Sequence, residues 1–190
     1  MRYLSGVVPR FVESIRLVTG AAERGSFRVA LIGGLALPFF GVERATADVD
    51  FLVEHSGADL LHRALTLARM RCLKRNDDVA NYDAGDPTFA SIDVLYARRP
   101  ATLRMLERAR IESVIGTDLG IAVVDAEGII GLKVQAIAND PKREFRDKDD
   151  ILHLLTLHAD RLDLELVREY FRVFDMETEL EALLELARGD

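Results

Sequence analysis

Two aspartates one residue apart interrupt an apolar run, Asp48-Val49-Asp50-Phe51-Leu52-Val53. In an extended strand alternate side chains share a face, so Asp48 and Asp50 project together while Val49 and Phe51 point the other way. Adjacent carboxylates repel, and a hard divalent cation such as Mg²⁺, which takes oxygen ligands, is the usual means of offsetting that cost. Upstream, an apolar segment closes on Gly33-Gly34. Residues without a Cβ let an anion come close to the backbone, and a turn that opens a helix aims free N–H groups at it. Downstream, Asp93 lies in Ser91-Ile92-Asp93-Val94-Leu95. A carboxylate between apolar strand residues is costly unless it is paired or binds a metal.

These residues need a scaffold of strands and helices, and the pattern of apolar positions supplies one. Phe11, Val12, Ile15, Val18 and Ala22 recur at helical spacing over 9–23, and Gly25-Ser26 breaks the pattern before a strand over 27–32. Leu35 to Phe40 reads as a short helix that tolerates Pro38 in its first turn and ends at Gly41. A second strand covers 48–53, a helix 57–70, and a third strand 89–96, with the polar stretch 74–87 as a loop or hairpin. A helix over 100–108 and short strands over 111–115 and 121–124 follow, and from Ala126 the chain reads as helical to its end with a break at Asn139-Asp140-Pro141. The class is therefore α/β (α+β), a small mixed sheet flanked by helices. The expected division is a core over 1–125 and a C-terminal helical region over 126–190 packed on it.

Composition narrows the function. The chain has 190 residues, 49% of them hydrophobic and 30% charged, enough for a core of ordinary size. Its longest uncharged stretch, Val29 to Val42, is too short to span a bilayer and holds two glycines and a proline. The first residues carry no apolar segment ahead of a cleavage site, so a cytoplasmic location without a membrane partner is expected. The single cysteine, Cys72, builds neither an internal disulfide nor a zinc cluster and reads as a small core residue. A net charge of −7 gives no overall attraction for nucleic acid.

The order of glycine pair, Asp-x-Asp and later aspartate resembles the nucleotidyltransferase superfamily of polymerase-beta-like fold. Its members carry a hydrophobic-Gly-Gly/Ser motif, a spacer that here would be Leu35 to Ala47, Asp-hydrophobic-Asp, and a third acid on a later strand. The resemblance implies that Asp48, Asp50 and Asp93 hold two divalent ions, Mg²⁺ or Mn²⁺. It also implies that Gly33 and Gly34 let the backbone approach a nucleoside triphosphate donor, and that a nucleotidyl group is transferred to an acceptor hydroxyl. Gly34 lacks the hydroxyl of the Gly-Ser variant, which removes one phosphate hydrogen bond. In the second half, Ala126 to Ile137 with Lys133, followed by Arg143, Arg146-Asp147-Lys148 and Asp149-Asp150-Ile151, is similar to the bacterial branch containing the abortive-infection toxins of toxin–antitoxin systems. That branch implies RNA or protein as acceptor and an antitoxin as partner, whereas the drug-modifying branch implies a hydroxylated small molecule. A triphosphate calls for cations, and Lys133 and Arg44, the latter in the loop before the aspartate pair, are the candidates.

Each feature has a plainer reading. An Asp-x-Asp strand can be a solvated edge, Lys133 a solvated helix residue, and Asp147, Asp149 and Asp150 favourable charges near a helix N-terminus. His153 and His158 have no partners at metal-ligand spacing and read as surface or packing residues. The Leu180–Leu186 stripe reads as core or interface. A protein that binds nucleotide and a partner without turnover is the alternative of a different class, and the three acids in place count against it.

Overall fold

The computed structural model describes residues 9–114 and 116–189, so Met1–Val8, Ile115 at the end of the strand expected over 111–115, and Asp190 lie outside the described residues. It divides into two compact units, one of residues 1–39 and 43–124, the other of residues 40–42 and 125–190.

The first unit begins with α1 (Pro9–Gly25), whose Phe11, Ile15, Val18, Ala21 and Ala22 are buried. Then come β1 (Val29–Ile32), β2 (Asp48–Glu54), α2 (Ala58–Leu67), β3 (Arg71–Arg75), β4 (Val79–Asp83), β5 (Ser91–Ala97), α3 (Pro100–Arg108), β6 (Arg110–Ser113) and β7 (Gly120–Val123). One seven-stranded sheet takes them in the order β3-β4-β5-β2-β1-β7-β6. β2 runs parallel to β5 and β1 parallel to β7, while the other neighbours are antiparallel, so the sheet is mixed. Val49, Phe51, Ile92 and Val94 are buried, and the alternating Asp48, Asp50 and Asp93 are half-buried.

Two local readings change, and one alternative is decided. Residues 33–40 form two 3₁₀ turns, Gly33–Leu35 and Leu37–Phe40, and not an α-helix. Their bonds run from Ala36 N–H to Gly33 O and from Phe39 N–H to Ala36 O. Two glycines weaken helix formation, and Pro38 lacks the amide that a longer ladder needs. The polar stretch after α2 is the β3–β4 hairpin, closed by Asn76, whose side-chain oxygen accepts from the amides of Asp78 and Val79. Cys72 is exposed on the outermost strand β3, all of whose residues are exposed, so it is not a core residue.

The second unit is helical: α4 (Ala126–Asn139), a 3₁₀ turn over Pro141–Arg143, α5 (Glu144–His158), α6 (Leu164–Arg172) and α7 (Glu177–Arg188). The break expected at 139–141 is present, and the helices part twice more, before Leu164 and before Glu177. Side chains stop and start them. Asp125 accepts from the Gly128 amide at 2.9 Å, and Asp163 accepts from the Leu166 amide at 3.1 Å. Leu180, Leu183 and Leu184 are buried, whereas Leu186 is exposed. His153 is exposed on α5, and His158 pairs its Nε2 with the Phe40 carbonyl at 2.7 Å. Among the described residues no helix is long and apolar enough to cross a membrane.

Candidate active site

Strand register decides whether the three aspartates meet. Asp50 of β2 lies opposite Asp93 of β5, Asp93 lies opposite Asn81 of β4, and Asp48 lies opposite Ser91. Residues directly opposite one another share a face, and neighbouring strands are about 4.8 Å apart. Asp48, Asp50 and Asp93 therefore stand on one face of the sheet, at the ends of β2 and β5 where the chain enters them. Burial, and then the charge of Asp93, push the Asp48 carboxyl above its ordinary value, with the charge of Arg10 acting in the opposite direction. Asp48 thus feels the charge of Asp93 across the β2–β5 pair.

Gly33 closes the site from β1. Its φ is +66°, and a Cβ there would lie 2.1 Å from Asp50 Oδ2, so only glycine fits both the backbone and the carboxylate. Gly34 faces Thr46, where an added Cβ would lie 3.0 Å from the Thr46 Cβ. Thr46 in turn donates to the Asp48 carbonyl at 3.3 Å, tying the loop of residues 41–47 to the start of β2. Arg44 is half-buried in that loop. The glycine turn, Thr46 and the aspartates thus share one edge of the first unit.

Asn81 is a member that the sequence reading missed. Its Nδ2 donates to Asp93 Oδ1 at 2.6 Å, fixing the carboxylate and leaving its second oxygen for another partner. The signal was present: Asn81 sits between buried Ala80 and Tyr82 in strand alternation. The donor set suits a hard cation, since all three acids offer oxygen. Among the described residues no three His, Cys, Asp or Glu side chains already stand close enough together to hold an ion.

Lys133 belongs to the second unit. It is 7% exposed in α4 of the second unit, and its ammonium donates to Asp147 Oδ1 at 3.0 Å and Asp150 Oδ2 at 2.6 Å. Asp147 also accepts from Arg143 at 2.8 Å. A solvated helix residue does not describe this arrangement, since the ammonium is buried and bonded to two carboxylates. Asp147 and Asp150 are buried ion-pair partners, and Asp149 alone stays exposed among the acids of that segment.

The sequence over residues 20–189 matches the family described as nucleotidyl transferase AbiEii toxin, type IV toxin–antitoxin system. The chain belongs to that family. This AbiEii-family protein shares its fold with solved nucleotidyltransferases. The antibiotic-resistance factor ANT(2'')-Ia superposes with a TM-score of 0.62 at 16% identity, over 94% of this chain and 97% of that one. An antigenic nucleotidyltransferase-like protein from Paracoccidioides brasiliensis superposes with a TM-score of 0.57 at 15% identity, over 94% of this chain and 93% of its own. No curated protein matches the AbiEii-family chain in sequence.

Proposed function

We propose that this AbiEii-family nucleotidyltransferase uses Asp48, Asp50 and Asp93 as ligands for Mg²⁺ or Mn²⁺, and takes a nucleoside triphosphate as donor against the Gly33-Gly34 turn. The observation that carries the reading is the register that sets Asp50 opposite Asp93, with Asp48 on the same face and the glycine turn against Asp50. A divalent ion bound there supplies charge neutralisation for the phosphates and activation of an attacking oxygen. Asn81 holds Asp93 in one orientation, and Thr46 holds the loop that carries Arg44 toward the same edge. Gly33 and Gly34 admit the triphosphate to the backbone, and Arg44 provides a cation for it. In the transfer, the acceptor hydroxyl oxygen bonds to the α-phosphorus and the bond from that phosphorus to the bridging oxygen breaks. Pyrophosphate leaves, and the hydroxyl proton passes to a carboxylate of the cluster. Lys133, in this reading, joins α4 to α5 and does not bind phosphate.

The family's toxin–antitoxin context supports a cytoplasmic toxin with an antitoxin as partner and RNA or protein as acceptor. Likeness to an antibiotic-resistance factor extends to the fold.

Asp50→Asn tests the ligand assignment. Removing a group that merely supports a metal ligand costs about 10–100-fold in metal affinity, so losing a ligand should cost roughly a hundredfold or more in binding of Mn²⁺ with nucleotide. Circular dichroism should show the fold retained. Titration calorimetry decides it: equal affinity in wild type and variant would assign the aspartate pair a structural role.

A further inference from the structure

Arg10 stands in the first turn of α1, outside the residues 20–189 that match the family. Two bonds pin this turn to the residue that precedes β5. The Ala90 amide donates to the Arg10 carbonyl at 3.3 Å, and Ser14, fully buried, donates its hydroxyl to the Ala90 carbonyl at 3.0 Å. Ala90 leads directly into Ser91, which lies opposite Asp48, so α1 is registered against the aspartate-bearing end of the sheet.

Arg10 thus stands at the end of α1 that meets this end of the sheet. It is not bonded to Asp48. Among the described residues its Nε is buried without a hydrogen-bond partner, and its guanidinium carbon lies 5.2 Å from the centre of the Phe11 ring. A buried donor with no acceptor is a costly arrangement, and a planar guanidinium presents several N–H groups matched to phosphate oxygens. Of the two cations named from the sequence, Lys133 is already held by Asp147 and Asp150.

We infer that Arg10 binds a phosphate oxygen of the nucleoside triphosphate, completing its Nε hydrogen bond when the donor arrives. The inference rests on the nucleotide reading of the aspartate site and adds a residue to it. Before the donor binds, the Arg10 Nε has no hydrogen-bond partner among the described residues. Once phosphates are present it contributes a charge-assisted hydrogen bond that a nucleoside monophosphate, with fewer charges, exploits less fully.

The experiment compares wild type, Arg10→Gln and Arg10→Lys by titration calorimetry with ATP, GTP, CTP and UTP and the matching monophosphates in Mn²⁺, with thermal melts alongside. For a triphosphate that wild type binds, Arg10→Gln should lose about ten- to a hundred-fold in affinity, with a smaller loss for the monophosphate. Arg10→Lys should recover part of it. Unchanged triphosphate affinity would overturn the inference, as would equal losses for both ligands with a lowered melting temperature, which mark a structural role. Should Arg10→Gln fail to fold, Arg10→Lys decides alone: a folded lysine variant with wild-type triphosphate affinity overturns the guanidinium assignment, and a selective triphosphate loss sustains it. If wild type itself binds no triphosphate, the reading of the aspartate site falls first, and Arg10 with it.

Discussion

Lys133→Ala is expected to destabilise the protein by about 3–5 kcal/mol, the cost of breaking a buried ion pair by removing one partner. The ammonium is 7% exposed and bonded to two carboxylates, one fully buried and the other nearly so. Without it Asp147 and Asp150 both lose the ammonium that bonds them, while Asp147 keeps its bond from Arg143. Urea denaturation should show the loss as a lower midpoint at unchanged slope. The dependence on pH carries a sign. Burial alone would raise the Asp147 carboxyl, but hydrogen bonds from Arg143 and Lys133 and their charges hold it below its ordinary value of 3.8. A depressed folded-state value stabilises above 3.8 and is lost as pH falls through the folded value, so wild type should lose this contribution in acid. The gap between wild type and variant should therefore narrow below that pH. A loss under about 1 kcal/mol, the range of solvated pairs, would contradict the buried geometry.

Gly33→Ala is expected to disable the site while Gly34→Ala weakens it only mildly. At Gly33 the added Cβ meets Asp50 Oδ2 at 2.1 Å on a backbone of φ +66°. The backbone term alone is about 1–2 kcal/mol, and the carboxylate must also move. At Gly34 the Cβ meets Thr46 at 3.0 Å, on a backbone outside the left-handed region. Binding of Mn²⁺ with nucleotide should fall below detection in the first variant and stay within roughly tenfold of wild type in the second. Equal affinities in both variants would detach the glycine turn from Asp50.

The residues that were legible were those whose meaning is local. Alternation alone put Asp48 and Asp50 on one face, and Pro100 at the first helical position marked the start of α3. Asp93 could be named as an outlier among apolar neighbours, but its position opposite Asp50 depends on β2 and β5 pairing in parallel across a long connection. Periodicity misjudged residues 33–40 because their apolar spacing suits a helix while the glycines and Pro38 deny it the hydrogen bonds. Lys133 was opaque for a different reason. An ammonium reads as a surface charge until the carboxylates that neutralise it, a helix away in the chain, are seen beside it. Arg10 gave no sequence signal, since only the contacts of α1 with Ala90 bring it to the site.

The most direct measurement supplies the purified protein with Mg²⁺ and each nucleoside triphosphate labelled at the α-phosphate, with cellular RNA and protein as acceptors, and follows both label and pyrophosphate. The account predicts that label appears on an acceptor in step with pyrophosphate release, that chelation stops it, and that Asp50→Asn lowers it by at least about a hundredfold. Transfer that proceeds equally well in Asp50→Asn, or triphosphate that is neither bound nor turned over by wild type, would contradict it.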